Sequence, residues 1–211
     1  MVEARKQAIA SFESGGSFPA SANYCFGEGG AGTFSDGKLS SRTKGIQPKR
    51  DYVFHRLVEA GAPAEIQAMT HPHVGSDNLF TITQKLRTML QERGVRFMFG
   101  QAATAFHSKG GTITAVETPQ GPVEADYVLV ACGHSAHDTQ RALMAAGVRY
   151  QVKDFAIGFR AEHPQELINR AQWGKPSLPG VKAAEYRLAC QADGQGVYSF
   201  CMCPGGTIVP A

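Results

Sequence analysis

Apolar and polar positions alternate in two distinct rhythms along this chain. Val53, Leu57 and Val58 stand at helical spacing, which predicts a helix over 50–60 closed by Gly61. Leu79, Ile82, Leu86 and Leu90 share one face of a second helix over 78–93, capped by Asp77 and stopped by Gly94. Shorter helices are expected at 5–12, at 63–69 after Pro63, at 138–146 before Gly147, and at 164–172. A period of two marks 95–99 as a strand. Segments 112–118 and 123–126 flank Pro119-Gln-Gly-Pro122 and read as a hairpin or small meander. A further strand is expected at 155–161, and a second hairpin from 186–191 and 196–202. Thr70-His71-Pro72-His73 is extended, because residues before proline avoid the helical region. No internal repeat is present.

Tyr127-Val-Leu-Val-Ala-Cys132 is continuously apolar, as a parallel strand buried on both faces would be. Gly133 breaks it and a helix follows. A strand, a glycine turn and a helix place residues 133–137 at the carboxyl edge of a sheet, where open α/β sheets bind ligands. A buried strand whose glycine merely turns the chain gives the same pattern.

Between the first two helices lies Phe26-Gly-Glu-Gly-Gly-Ala-Gly-Thr-Phe-Ser-Asp-Gly-Lys-Leu39, with five glycines and one lysine. Such density lets backbone approach something closely, and bare N–H groups beside a lysine suit a phosphate. Gly27, Gly29 and Gly32 satisfy the spacing G-x-G-x-x-G, with Asp51 near the distance of a ribose-binding acid. That fingerprint needs a strand before it and a helix after it, and neither flank offers one. Gly32, Gly37 and Lys38 satisfy G-x-x-x-x-G-K, but Leu39 stands where a P-loop carries Ser or Thr. Two readings stay open: a surface loop without a ligand, and a phosphate- or cofactor-contacting loop of another architecture.

Composition narrows the class. The chain has 211 residues, 43% of them hydrophobic and 18% charged, as in an ordinary globular protein. A net charge of +3 without a dense basic block argues against nucleic acid. No apolar run is long enough for a membrane span, and the first residues lack a signal peptide's apolar core. Five cysteines, mostly in apolar strand-like stretches, argue for reduced thiols and a cytoplasmic location. Cys201 and Cys203 lie on one side of a strand, as buried thiols, a redox pair or a metal half-site. His71 and His73 could form an anion or metal site, and His134 and His137 stand near a helix start. Arg160 and Glu162 share a strand face and could pair. The short polar first helix and the closing Gly205-Gly-Thr-Ile-Val-Pro-Ala211 make the chain look cut at both ends.

Several long motifs together resemble one family. The 26–39 run closely resembles a family of largely uncharacterised bacterial FAD-dependent dehydrogenases. So do His71-Pro-His-Val-Gly, Gly133-His-Ser-Ala-His-Asp-Thr, Phe155-Ala-Ile-Gly-Phe-Arg-Ala-Glu-His-Pro-Gln and Gly196-Val-Tyr-Ser-Phe-Cys-Met-Cys-Pro-Gly-Gly. The 127–133 strand is similar to the Ala-Thr-Gly strand of flavoproteins with two dinucleotide-binding domains, with Cys132 where Thr is usual.

The resemblance implies an α/β FAD/NAD(P)-binding fold, incomplete here, with an inserted substrate or cap domain. The binding domain would be split over 1–50 and 77–147, with a helical insertion at 51–76 and the substrate domain at 148–211, itself truncated. The first Rossmann unit would lie upstream. FAD contacts are then expected from Gly29, Gly30, Ala31, Gly32, Thr33, Ser35, Asp36, Gly37 and Lys38, and from Ala131, Gly133 and His134. NAD(P)H is allowed as electron donor, and the expected partner is a small-molecule substrate. Rival readings are a flavin- or nucleotide-binding module without turnover, an anion-binding regulatory domain, and a thiol or metal protein using Cys201 and Cys203.

Overall fold

Glycine and proline punctuation sets where the helices stop, and burial of one stripe sets how they pack. A computed structural model describes residues 1–35, 37–39, 41, 44–69, 72–200, 202, 204–205 and 208. Asp36, His71, Cys201 and Cys203 lie outside the described residues, so the expectations placed on them have no structural counterpart here. The chain divides into two compact units, 1–152 and 153–210.

The first unit begins with α1 (Val2–Glu13), which buries Val2, Arg5 and Ile9 on one stripe. α2 (Gln47–Glu59) follows, with a proline in its first turn, where the missing N–H costs nothing. A single 3₁₀ turn (Ala64–Gln67) replaces the longer helix expected after Pro63. α3 (Ser76–Gln91) is capped by Gly75, so Asp77 is inside the helix and not its cap. Phe54, Ala60, Ala62, Ile66, Val74 and Ile82 form the core, and Leu57, Val58, Leu79 and Leu86 pack against it. Burying a side chain such as Phe54 or Ile66 contributes about 1.5–3 kcal/mol. Phe54 takes the inner position expected of Val53, which is exposed, and Leu90 is exposed as well.

A three-stranded antiparallel meander follows in the order β1 (Ala105–Lys109), β2 (Thr112–Thr118), β3 (Gly121–Glu124). Phe106 pairs with Val116, and Val116 with Val123. A bulge at His107/Ser108 shifts the register of the first pair. β1 escaped the sequence reading, because His107, Ser108 and Lys109 interrupt its apolar alternation. α4 (His137–Ala145) closes this unit and lies against β1.

The second unit holds α5 (Gln165–Trp173), ended by Gly174 in the left-handed region at φ 70°. Asn169 on this helix is buried. Its amide donates to the Pro176 carbonyl at 2.6 Å and its oxygen accepts from the Ala184 N–H at 3.0 Å. β4 (Ala189–Ala192) and β5 (Gln195–Tyr198) form the expected hairpin, shorter than the sequence suggested. Asp193 and Gly194 turn it with positive φ at both positions, as a two-residue hairpin loop requires.

Three expected strands do not form. Residues 95–99, 127–132 and 155–161 form no regular element and pair with no strand among the described residues. The correction is sharpest at 127–132, expected to be buried on both faces. Tyr127 is 94% exposed and Leu129 92% exposed, and in 155–161 Phe159 is fully exposed. A strand needs neighbours to take its N–H and C=O groups, and these segments have apolar side chains but no neighbouring strand. Hence the described residues form a mixed α/β structure with small antiparallel sheets, and no parallel sheet. Nor do Arg160 and Glu162 pair: the Glu162 carboxylate accepts from the Ile208 N–H instead.

Candidate functional site

The glycine-rich run is shaped by a buried arginine in the first helix. Val2, Arg5 and Ile9 lie on one stripe of α1, and Arg5 is only 3% exposed. Its Nε and Nη2 both donate to the Asn23 carbonyl, at 3.2 and 2.9 Å. Its Nη1 donates to the carbonyls of Glu28, at 2.5 Å, and Gly30, at 3.1 Å. The guanidinium also lies 4.9 Å from the centre of the Phe34 ring, which meets Tyr24 edge-on at 5.6 Å. Burial pushes the Arg5 pKa down, opposed by the Glu28 charge. An arginine keeps its proton through such shifts.

A second arginine holds the loop from the other side. Arg87 of α3 donates from Nη1 to Glu28 Oε2 at 2.8 Å and to Glu3 Oε2 at 3.2 Å. Its Nη2 donates to Glu3 Oε1. Glu28 Oε2 also accepts the Val2 N–H at 2.6 Å, and Gln84 donates to Glu3 at 2.8 Å. Hydrogen bonds from Arg87 and then Gln84 hold the Glu3 carboxyl down at about 2, below its ordinary value near 4.5. The same partner raises Arg87. Thus α1, the loop and α3 are tied together through charges.

The loop itself is a series of tight turns. The Gly30 N–H donates to the Gly27 carbonyl at 2.8 Å, and a 3₁₀ turn over Ala31–Phe34 follows. Ser35 Oγ donates back to the Gly32 carbonyl at 2.7 Å and accepts the Gly37 N–H at 3.0 Å. Among the described residues neither flank has the strand or α-helix of a dinucleotide fingerprint. The exit of the loop meets the His-Pro-His segment. Leu39 N–H donates to the Pro72 carbonyl at 2.8 Å, Val74 N–H to Gly37 at 3.0 Å, and Lys38 bridges to His73. Two motifs from distant parts of the sequence therefore meet.

The glycines divide into two groups. A Cβ on Gly29 would stand 2.0 Å from Thr33 Oγ1, at a φ of +83° that side chains rarely adopt. A Cβ on Gly27 would meet Arg5 at 2.7 Å, and one on Gly37 would meet Val74 at 3.1 Å. These three are glycine because the protein itself fills the space. Around Gly30 and Gly32 a Cβ would meet nothing within 4 Å. The N–H groups of Ala31 and Gly32 have no acceptor among the described residues, as expected for the first turn of a helix. Thr33 Oγ1 and Glu28 Oε1 are buried without a hydrogen-bond partner.

This donor set has the chemistry of an anion site, such as a phosphate would need. Free N–H groups, absent side chains and a buried arginine behind them suit an anion, and Arg87 neutralises the Glu28 carboxylate nearby. Gly30, Ala31 and Gly32 would hold the group, with Ser35 and Gly37 fixing the turn behind them.

The remaining expected contacts lie in the unpaired segment. Ala131, Gly133 and His134 are exposed. Among the described residues no hydrogen bond, ion pair or ring contact joins them to the glycine loop. His134 and His137 face each other edge-on at 6.1 Å. Sequence reading missed Arg5, Glu28 and Arg87. Arg5 did leave a signal, a charge at a buried-stripe position between Val2 and Ile9. Glu28 and Arg87 are 59 positions apart and leave none.

Residues 154–211 match the family model described as FAD-dependent protein, C-terminal domain-like. An uncharacterised protein of Clostridium beijerinckii is 39% identical over 213 residues, covering 100% of this chain and 40% of its own length. A D-amino acid dehydrogenase of Cereibacter sphaeroides is 41% identical over 83 residues, 37% of this chain and 18% of that protein. Another, from Agrobacterium fabrum, is 32% identical over 104 residues, 47% of this chain and 25% of that enzyme. The chain thus spans 40% or less of the length of these relatives. Among the described residues no helix is long and apolar enough to cross a membrane, and no cluster of side chains is suited to a metal ion.

Proposed function

We propose that these residues are part of an FAD-dependent oxidoreductase, with the outer face of the 27–38 loop lying against the flavin's pyrophosphate. One observation carries the reading: Ala31 and Gly32 present N–H groups without an acceptor among the described residues, and Gly30 and Gly32 offer a face free of side chains to space those residues do not fill. The family match at 154–211 and the partial likeness to D-amino acid dehydrogenases support the flavin.

Bound flavin would supply the two-electron redox chemistry. The chain's part is positional. Arg5 orders the loop, Ser35 and Gly37 fix its exit, and Lys38 lies on the exposed rim beside His73. Asp36, Ala131, Gly133 and His134 are proposed as further contacts, the last three at the end of the apolar 127–132 segment. In a polypeptide of the relatives' length, 127–132 and 95–99 would be strands of the dinucleotide-binding sheet. Their unpaired backbone and exposed apolar side chains support that reading. D-amino acids are the first substrate class to examine, because several partial relatives carry that name.

The test uses the polypeptide of the natural reading frame that contains these residues. Purified, it should be yellow, and anaerobic addition of a D-amino acid should bleach the flavin, with recovery in air. Colour that dithionite bleaches but no substrate does would favour the module without turnover. A colourless protein that ignores added FAD contradicts the proposal.

A further inference from the structure

The loop's outward N–H groups have an inward cause. Gly27, Gly29, Gly30 and Gly32 have no side chains with which to choose which of their backbone groups face solvent. Here three carbonyls, those of Asn23, Glu28 and Gly30, converge on the single guanidinium of Arg5. Each carbonyl turned inward fixes the orientation of its own peptide plane, so the N–H of the next residue points away. The peptide after Gly30 carries the Ala31 N–H, which has no acceptor among the described residues.

We infer that Arg5 is the positioning residue that gives the 23–34 loop its polarity, gathering its carbonyls inward so that N–H groups face an anionic ligand. The inference rests on the loop being the flavin contact, but its first consequence concerns the protein without ligand. The planar fork is essential. Four donor contacts to three carbonyls come from Nε, Nη1 and Nη2 in fixed relative directions. A lysine ammonium is a single point with rotatable donors and cannot reach all three. Arg5 also places a full positive charge behind the N–H groups, with Phe34 stacked on it. Glu28 serves twice: its carbonyl faces Arg5 and its carboxylate faces Arg87, so the loop is held by two cations on different elements.

The inference is tested on the unliganded 211-residue chain by nuclear magnetic resonance. In the wild type, the Arg5 side-chain N–H signals should be separately resolved and protected from exchange. One averaged, rapidly exchanging signal would overturn the inference, with no variant needed. Arg5→Lys should then speed amide exchange at Gly30, Thr33 and Ser35 at least tenfold, while the amides of Phe54 and Ile82 keep their rates. Equal rates throughout would show that charge alone suffices, and would also overturn it. Phe34→Leu separates ring from fork: exchange in the loop should change by less than about threefold, and acceleration matching Arg5→Lys would assign the role to the ring. Affinity for inorganic pyrophosphate should fall at least tenfold in Arg5→Lys. If the wild type binds neither pyrophosphate nor FAD, the flavin reading fails, while the exchange data still decide the role of Arg5.

Discussion

The polar glycine loop and the apolar 127–132 segment trade places relative to what their compositions suggest. The loop, nearly bare of aliphatic side chains, is held by buried charges and by hydrogen bonds from two helices. The segment, apolar throughout, stands with Tyr127 and Leu129 almost wholly exposed. The difference lies in where each finds its partners. A turn satisfies its backbone with neighbours in sequence and one or two side chains nearby. A strand depends on other strands, and burying its side chains depends on layers packed on both faces. Local composition therefore says how apolar a segment is, but not whether the chain at hand supplies what would cover it.

Substitutions should separate the two regions. The largest loss is expected for Arg87→Ala, which strips the partner from the buried Glu28 carboxylate and from Glu3. Breaking such a pair costs about 3–5 kcal/mol, read as a lower denaturation midpoint. Gly29→Ala should cost about 2–4 kcal/mol, combining the clash with Thr33 and a positive φ. A Gly29→Ala protein as stable as the wild type would mean the loop is not packed as described.

Glu3→Gln should act through pH. The folded Glu3 carboxyl sits at about 2, below its ordinary value near 4.5, because of Arg87 and Gln84. Its contribution is therefore full above pH 4.5 and lost as the pH falls through about 2. The wild type should exceed the variant in stability at pH 6, and the two should converge near pH 2. A gap independent of pH would contradict the ion pair.

The smallest effect is expected in the apolar region. Leu129→Lys in the 211-residue chain should change stability by less than about 0.5 kcal/mol, since the side chain touches almost nothing. The same substitution in the longer natural polypeptide should cost more than about 2 kcal/mol if a sheet covers the position there. Equal, negligible costs in both would sink the proposal that 127–132 is a core strand.

Much of the helical framework was legible in the sequence. The Leu79/Ile82/Leu86 spacing found α3, and Gly61, Gly94 and Gly147 marked where helices end. The meander was legible from the turn residues Pro119-Gln-Gly-Pro122, and the second hairpin from its two flanking segments, although its Asp193-Gly194 turn was not read. Three things were not. β1 lacks alternation at its polar end. The 127–132 strand was read from side chains alone, which carry no information about missing neighbours. The Arg5 and Arg87 ties join positions too far apart for any spacing rule. In the candidate site, glycine density pointed to the right loop. It did not separate Gly27, Gly29 and Gly37, which pack against the protein, from Gly30 and Gly32, which face open space.

That separation gives the most direct test. Gly32 has no positive φ, and a Cβ there would meet nothing within 4 Å, so Gly32→Ala should fold with unchanged stability. If the loop's outer face meets flavin, the added methyl enters the ligand's space. FAD affinity of the natural polypeptide should then fall at least about tenfold, equivalent to roughly 1.4 kcal/mol. A Gly32→Ala protein that is equally stable and binds FAD as tightly as the wild type would contradict the account.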